Sequence, residues 1–593
     1  MATLVCTAAG PASAQELGPA ATGVTGTQTA RVETPPDDDP APISESGEDD
    51  PLAPKDADKP APLAPGAAPA GTAPSPVPPA GAAPGGPASD TAAATTTPAD
   101  PVIEAARTLI AKLPLPGKGG DRDDHEVAVA HYAALAKPHW VDATGLNARG
   151  RAVVEEIGRA ADWGLEPTAF DLPALAADAG SPPPGADVLA QAEVATTLAV
   201  LKYARHARGG RFDPLSISRK FDQKPAVFEP GSVLIGLAVS DDPAAYLRGL
   251  HPRHPQFERL RQAMLAARGP DKPPASVEQI RANMERWRWM PPELGSFYVW
   301  DNVPEQMTYV VRDGTVIHSA KIVVGKLSTP TPVFSAGMQF IIFQPSWGVP
   351  PGMKANELGP QLRNTGGGWW SSKPLASTVL RSHGLTVTRG GVPVDPDSID
   401  WSTANVGSYD FTQPAGPKNV LGVVKFRFPN KHNVYMHDTQ ERHLFGGKVR
   451  AFSHGCMRVE NPVRLAEVLL AHAKGWTADE VKAALRRGAT VELETPIPVH
   501  VAYFTVEVAD DGKVLVHPDL YGLDSRVASA LAGRPVRIAA QAVTETAVGE
   551  TGAGPVAGQR KPSARERREQ RRAERERAAA RVEVPGAINP FGF

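Results

Sequence analysis

Cysteine is almost missing from this chain: Cys6 and Cys456 are the two in 593 residues. A small fold braced by disulfides is thereby excluded. Cys6 falls in the opening stretch MATLVCTAAGPASA, which is small, apolar and closed by Ala12-Ser13-Ala14. That ending has the pattern of a signal-peptidase site, although a basic leader is lacking. Residues 1–14 are read as the remnant of an export signal. Its removal would leave Cys456 alone, and a lone thiol in an oxidising compartment points to chemistry rather than bracing. Long hydrophobic runs are lacking as well: none reaches the ~18 residues that a membrane-spanning helix needs. Net charge of one sign is lacking, at −3, so no nucleic-acid partner is expected.

What the chain has in excess is proline and glycine, 61 and 55 residues, together about a fifth of the whole. Much of this lies in residues 15–100, an Ala/Pro-rich stretch with too little apolar surface to offset chain entropy, read as a disordered tether. From 101 to 294 the pattern turns helical. Val102, Ile103, Ala106, Leu109, Ile110 and Leu113 mark one face. Val127–Ala136, Val153–Ala161, Leu189–His206 and Asp242–Leu250 mark further helices, with Tyr132, Trp140, Trp163 and Leu165 as candidate core. From Gly295 the period becomes that of strands, with a hairpin turn at Arg312-Asp313-Gly314. Residues 351–412 interrupt this β pattern, and Gly366-Gly367-Gly368 beside Trp369 and Trp370 suggest a mobile segment with an aromatic surface. Helices after Asn461-Pro462 and from an N-cap at Thr477 follow. Residues 501–545 read as a hairpin returning to the helical part. Residues 546–593 read as a disordered tail dense in Arg and Glu.

The stretch 433–462, NVYMHDTQERHLFGGKVRAFSHGCMRVENP, holds Cys456 with His437, His443 and His454. A thiol titrating near pH ~8.5 needs an imidazole or a fixed dipole beside it to act as a nucleophile near neutrality. Read as one strand, Phe452–Val459 would align His454, Cys456 and Arg458 on a single face. Gly455 would admit a substrate carbonyl, and the N–H groups of Gly455 and Cys456 would receive an oxyanion. Val434-Tyr435-Met436 reads as a neighbouring strand that would bring His437 to Cys456. His454 is read as an organiser of the loop and as the rival base, and His432 and His443 are expected on the surface. Arg458 and Ser453 are candidates for substrate contact, and the Tyr435 hydroxyl for the oxyanion. His437, Asp438, His443, His454 and Cys456 also offer Zn²⁺ ligand types, but at spacings that match no zinc signature, so neither metal nor cofactor is expected.

Ser453-His454-Gly455-Cys456 followed by Arg458 resembles the signature of the L,D-transpeptidases with a YkuD-type catalytic domain. Tyr435-Met436-His437-Asp438-Thr439 resembles their catalytic-histidine segment. Gln413–Gly422 and Arg281–Trp289 resemble flanking blocks of the large periplasmic members, and the likeness runs from about 101 to about 540. The resemblance implies an α+β architecture: a helical scaffold domain at 101–294 and a β-rich catalytic domain at 295–500. Residues 351–412 would be inserted as a lid, with Trp369 and Trp370 touching glycan or peptide. It implies Cys456 as nucleophile and His437 as base, the imidazole being oriented by the Asp438 backbone carbonyl. It implies a donor tetrapeptide stem of peptidoglycan, loss of D-Ala, a thioester, and a 3→3 cross-link to an acceptor amine, in the periplasm. Transfer to a protein amine, hydrolysis as a carboxypeptidase, and a non-catalytic wall-binding scaffold remain open. One departure from the pattern is visible: the segment between Ala267 and Val277 is too short for the helical peptidoglycan-binding module that large members often carry there.

Overall fold

The computed structural model describes residues 100–536, apart from 118, 175–182, 270–272 and 367–371. The expected tether, the charged tail and the Trp369–Trp370 pair lie outside the described residues. The first part is helical: α1 (Pro101–Lys112), α2 (Gly120–Ala134), α3 (Ala148–Gly158), α4 (Ala186–Ala207), α5 (Pro230–Val239), α6 (Pro243–Gly249) and α7 (Pro255–Ala266). Proline opens α1, α5, α6 and α7, where its preset φ suits the first turn and its missing N–H costs nothing. The side chains of Asp100, Glu229, Asp242 and His254 cap the same four helices by accepting backbone N–H groups. Ile103, Ala106, Val153, Ile157, Val200 and Tyr132 are wholly buried in one shared core. Trp140 and Leu165 join it, whereas Trp163 is only half-buried and stacks on His251 at 4.3 Å. No helix among the described residues is long and apolar enough to cross a membrane.

Helix α8 (Val277–Trp289), opened by a Ser276/Gln279 capping box, leads into the β-rich part. Nine strands build its main sheet: β1 (Phe297–Asn302), β2 (Met307–Arg312), β3 (Thr315–Gly325), β4 (Phe334–Phe343), β9 (Val424–Arg427), β10 (Met436–His437), β11 (Ala451–Ser453), β12 (Met457–Val459) and β13 (Thr490–Ala502). Their order is β11-β3-β12-β10-β9-β4-β13-β1-β2, and a further pairing of β2 with β3 closes the sheet on itself. Asp313 and Gly314, both at positive φ, make the tight turn between β2 and β3. Val299, Val310, Ile322, Val324, Met338 and Ile341 fill the enclosed core, sealed by Leu465 and Leu469 of α10 (Pro462–Lys474).

The 351–412 interruption is a folded unit with its own small sheet. That sheet runs β5 (Trp347–Gly348), β8 (Asp410–Gln413), β6 (Thr386–Arg389), β7 (Val392–Pro393). Trp347, Val349, Met353, Leu358, Leu362, Leu380 of α9 (Ala376–Ser382), Trp401 and Phe411 pack in its core. The chain ends its described course in a hairpin, β14 (Val506–Val508) with β15 (Val514–Val516), and helix α12 (Asp524–Leu531). Gln256 of α7 clamps the backbone of Val508 through both amide atoms, at 2.7 and 3.0 Å.

Candidate active site

Three neighbouring short strands carry the candidate residues. β9 pairs with β10 with Lys425 opposite His437, and β10 pairs in parallel with β12 with Met436 opposite Met457 and His437 opposite Arg458. Alternation then divides the side chains between two faces. Val424, Phe426, Met436 and Met457 are completely buried in the closed sheet's core. Tyr435 and Cys456, the residues directly before these two strands, belong instead to the apolar cluster of the inserted unit. Lys425, Tyr435, His437, Cys456 and Arg458 therefore share the face that the insertion covers. The Lys425 ammonium lies 4.3 Å from the Tyr435 ring centre, and the Tyr435 and His437 rings meet edge-on at 5.7 Å.

The His437 ring is tethered by Nδ1 to the backbone carbonyl of Asp438. A carbonyl only accepts, so Nδ1 carries the proton and Nε2 carries the lone pair. The Asp438 carboxylate serves a different purpose. It accepts the Val423 N–H at 3.0 Å and stands 3.7 Å from the Arg442 guanidinium. Gly422, at φ +59, leaves the room it needs, since a Cβ there would come within 2.3 Å of the carboxylate oxygen. The turn leading into Gly422 is tied by Asn419, whose amide donates to the carbonyls of Pro345 and Pro414 while its oxygen accepts from Leu421.

Cys456 is fully buried, with Sγ 3.9 Å from the Asn433 carbonyl. The strand expected through 452–459 is broken: β11 ends at Ser453 and β12 begins at Met457. Gly455, at φ +124, makes the break, a conformation that side-chain-bearing residues rarely adopt. Ser453 staples the resulting turn, donating to the Cys456 carbonyl at 2.5 Å and accepting the Gly455 N–H at 3.1 Å. Ser453, expected on the substrate side, is thus turned inward and buried. The Gly455 N–H, expected as an oxyanion donor, is engaged in this turn.

His454 lies in this break, between β11 and β12. Its Nε2 lies 3.0 Å from Glu357 of the insertion and 3.2 Å from the Lys326 ammonium. Arg458 is buried and paired with Glu441. His443 is exposed, as expected, but His432 is half-buried and bonded to Asp222 at 2.8 Å. Of the five residues with Zn²⁺-ligand types, His443 faces solvent and Asp438 is held by Val423 and Arg442. Among the described residues one trio, Glu305, Glu507 and His517, has ligand atoms within 4.8 Å of one another, and it shares no member with that set.

Sequence reasoning missed Lys425, Glu357 and Glu441. Lys425 had a visible signal, since with Arg427 it is one of two cations set within the otherwise apolar run Val423–Phe428. Nothing in the sequence marked Glu357 or Glu441, whose roles arise only from contacts between distant segments.

Residues 296–499 match the family model of the L,D-transpeptidase catalytic domain, YkuD, and residues 127–264 match the Scaffold domain. A Haemophilus influenzae protein described as a "Putative L,D-transpeptidase" is 31% identical over 256 residues, which is 42% of this chain and 49% of that protein. The chain thus matches about half the length of this curated relative. Two solved structures show slight likeness. One is the Ldtfm-avibactam carbamoyl enzyme, 15% identical over 36% of this chain and 51% of that one, with a TM-score of 0.17. The other is a cysteine-to-serine mutant of an Enterococcus faecium L,D-transpeptidase, 14% identical over 35% and 50%, with a TM-score of 0.14.

Proposed function

We propose that this chain, which belongs to the L,D-transpeptidases with a YkuD-type catalytic domain, uses Cys456 to cross-link peptidoglycan stems outside the cytoplasm. The observation that carries the reading is the register of β10 and β12, with His437 opposite Arg458 and Cys456 directly before β12, which supports a thiol–imidazole pair. The Cys456 thiolate attacks the carbonyl carbon of the third residue of a tetrapeptide stem. The bond to the terminal D-Ala nitrogen breaks, and the His437 imidazole, having accepted the thiol proton at Nε2, returns it to the leaving amine. A thioester remains. An acceptor amine then forms a new bond to that carbonyl carbon, the sulfur leaves, and the amine's proton passes to His437.

The Asp438 carbonyl supports this by holding the Nδ1–H tautomer, which places the basic lone pair on Nε2. Tyr435 stands beside His437 on the same face, with its ring against Lys425, and supplies a phenolic group near the developing oxyanion. Arg458, held by Glu441, lines the same face as a contact for substrate carboxylate. The apolar cluster around Cys456 limits water at the thioester, which favours transfer over hydrolysis.

Purified protein incubated with tetrapeptide muropeptides and read by mass spectrometry tests the reading. Cross-linked dimer and free D-Ala are expected. D-Ala-shortened tripeptide alone would make the enzyme a carboxypeptidase, and no product at all would leave a wall-binding scaffold. Cys456→Ala is expected to abolish both product and thioester mass while the circular dichroism spectrum is unchanged. Persistent cross-linking by that variant would remove Cys456 from the mechanism.

A further inference from the structure

The inserted unit brings one carboxylate to the edge of the cysteine turn. Glu357 lies on a single turn of π-helix, Lys354–Leu358, within the helical stretch 351–363. The next residue, Leu358, is fully buried in the cluster that contains Cys456 and Tyr435. Leu358 thus ties this stretch to the cluster that holds the cysteine, while Glu357 keeps a third of its side chain exposed. Its Oε1 reaches the Nε2 of His454, two residues before the nucleophile, at 3.0 Å. The Lys326 ammonium stands 3.2 Å from the same ring nitrogen, so the spot already accommodates an alkylammonium group. Lys354, a cation of the insertion itself, is directed to Asp410 at 3.2 Å.

We infer that Glu357 is a specificity-determining residue, a carboxylate on the lid that recruits a positively charged acceptor amine to the thioester. The inference rests on the transpeptidase reading above and names the acceptor class within it: an alkylammonium in preference to water or a neutral nucleophile. An acceptor of the transfer step arrives at neutral pH as an ammonium, and its first favourable contact is with a carboxylate that keeps one oxygen toward solvent. The ammonium exchanges with the His454 imidazole at Glu357. Once the proton has passed to His437, the neutral amine is beside the carbonyl carbon. A hydrogen-bonded ion pair of this kind discriminates strongly against uncharged competitors, because a neutral nucleophile gains nothing from the carboxylate.

A competition experiment reads this directly. The full chain is given a tetrapeptide donor with two acceptors together at pH 7.5: a tripeptide stem bearing its side-chain amine, and hydroxylamine, which is uncharged at that pH. Both capture the same thioester, so the ratio of cross-linked dimer to hydroxamate is independent of the donor step. Glu357→Gln is expected to lower that ratio about tenfold. Glu357→Asp, which keeps the charge, is expected to recover part of it, and Glu357→Lys to lower it further. An unchanged ratio in Glu357→Gln and Glu357→Lys, whatever the total yield, overturns the inference and assigns Glu357 a structural contact only. Absence of D-Ala release from the wild-type chain would instead overturn the transpeptidase reading, and this inference with it.

Discussion

At the scale of single residues, the cysteine turn shows how little sequence separates a proposed nucleophile from a structural residue. Ser453 and Cys456 both carry small nucleophilic groups, three positions apart. The serine hydroxyl is consumed by two backbone bonds that define the turn, while the thiol faces the covered side of the strands. Ser453→Ala leaves the buried Gly455 N–H without its acceptor, which costs about 1–3 kcal/mol. A lower melting temperature and slower thioester formation are expected together, and Ser453→Thr, which keeps the hydroxyl, is expected to restore most of both. Equal melting temperatures for Ser453→Ala and the wild type would show the staple to be unimportant. Cys456 and His437 could be named as candidates from residue type and neighbourhood alone. The facing of Ser453, His454 and the Gly455 N–H could not, because a single positive-φ glycine breaks the alternation that a strand would have imposed.

At the scale of elements, most helices were visible as periodicity, and their ends as Pro and capping residues. Thr477 does cap its helix, α11 (Ala478–Arg487), in a reciprocal box with Glu480. Strands were visible as alternation, but not which side of each faced the enclosed core. On β1, Asp301 interrupts an apolar series and is fully buried beside Val299 and Val303. Burial pushes its carboxyl up to about 7, with Thr308 across the strand pair opposing the shift. The folded state therefore prefers the neutral acid. Its contribution is complete below the unfolded value near ~4 and is lost as pH rises through about 7. Asparagine has no such charge to bury. The stability of Asp301→Asn relative to wild type is expected to rise by about 2–3 kcal/mol between pH 5 and pH 8, measured by chemical denaturation at both pH values. A pH-independent difference would mean that Asp301 ionises as freely in the folded protein as in the unfolded chain.

At the scale of the whole molecule, buried polar residues join parts of the chain that are far apart in sequence. Arg286 of α8 donates to Asp524 of α12 at 2.7 Å, and Thr505 donates to the same carboxylate while its own N–H goes to Asn283. Asp524→Ala leaves a guanidinium buried without its counter-charge, an expected loss of about 3–5 kcal/mol. Replacing both, Arg286→Met with Asp524→Leu, is expected to recover much of that loss, because the isolated charge is gone. A melting-temperature series over the two single variants and the double variant checks this. Aromatic packing of Trp287, Trp300 and Phe504 adds an apolar seam beside the same junction.

Read along its length, the chain already declares a helical half, a β-rich half with an interruption, and one thiol among histidines. These depend on local periodicity and residue type, which neighbouring positions suffice to express. The pairing of β10 with β12, the approach of Glu357 to the cysteine turn, and the division of side chains between core and covered face were decided only when the sheet closed. Each rests on contacts between segments separated by many residues, and a strand's pattern states which side chains alternate without stating which side the fold will bury.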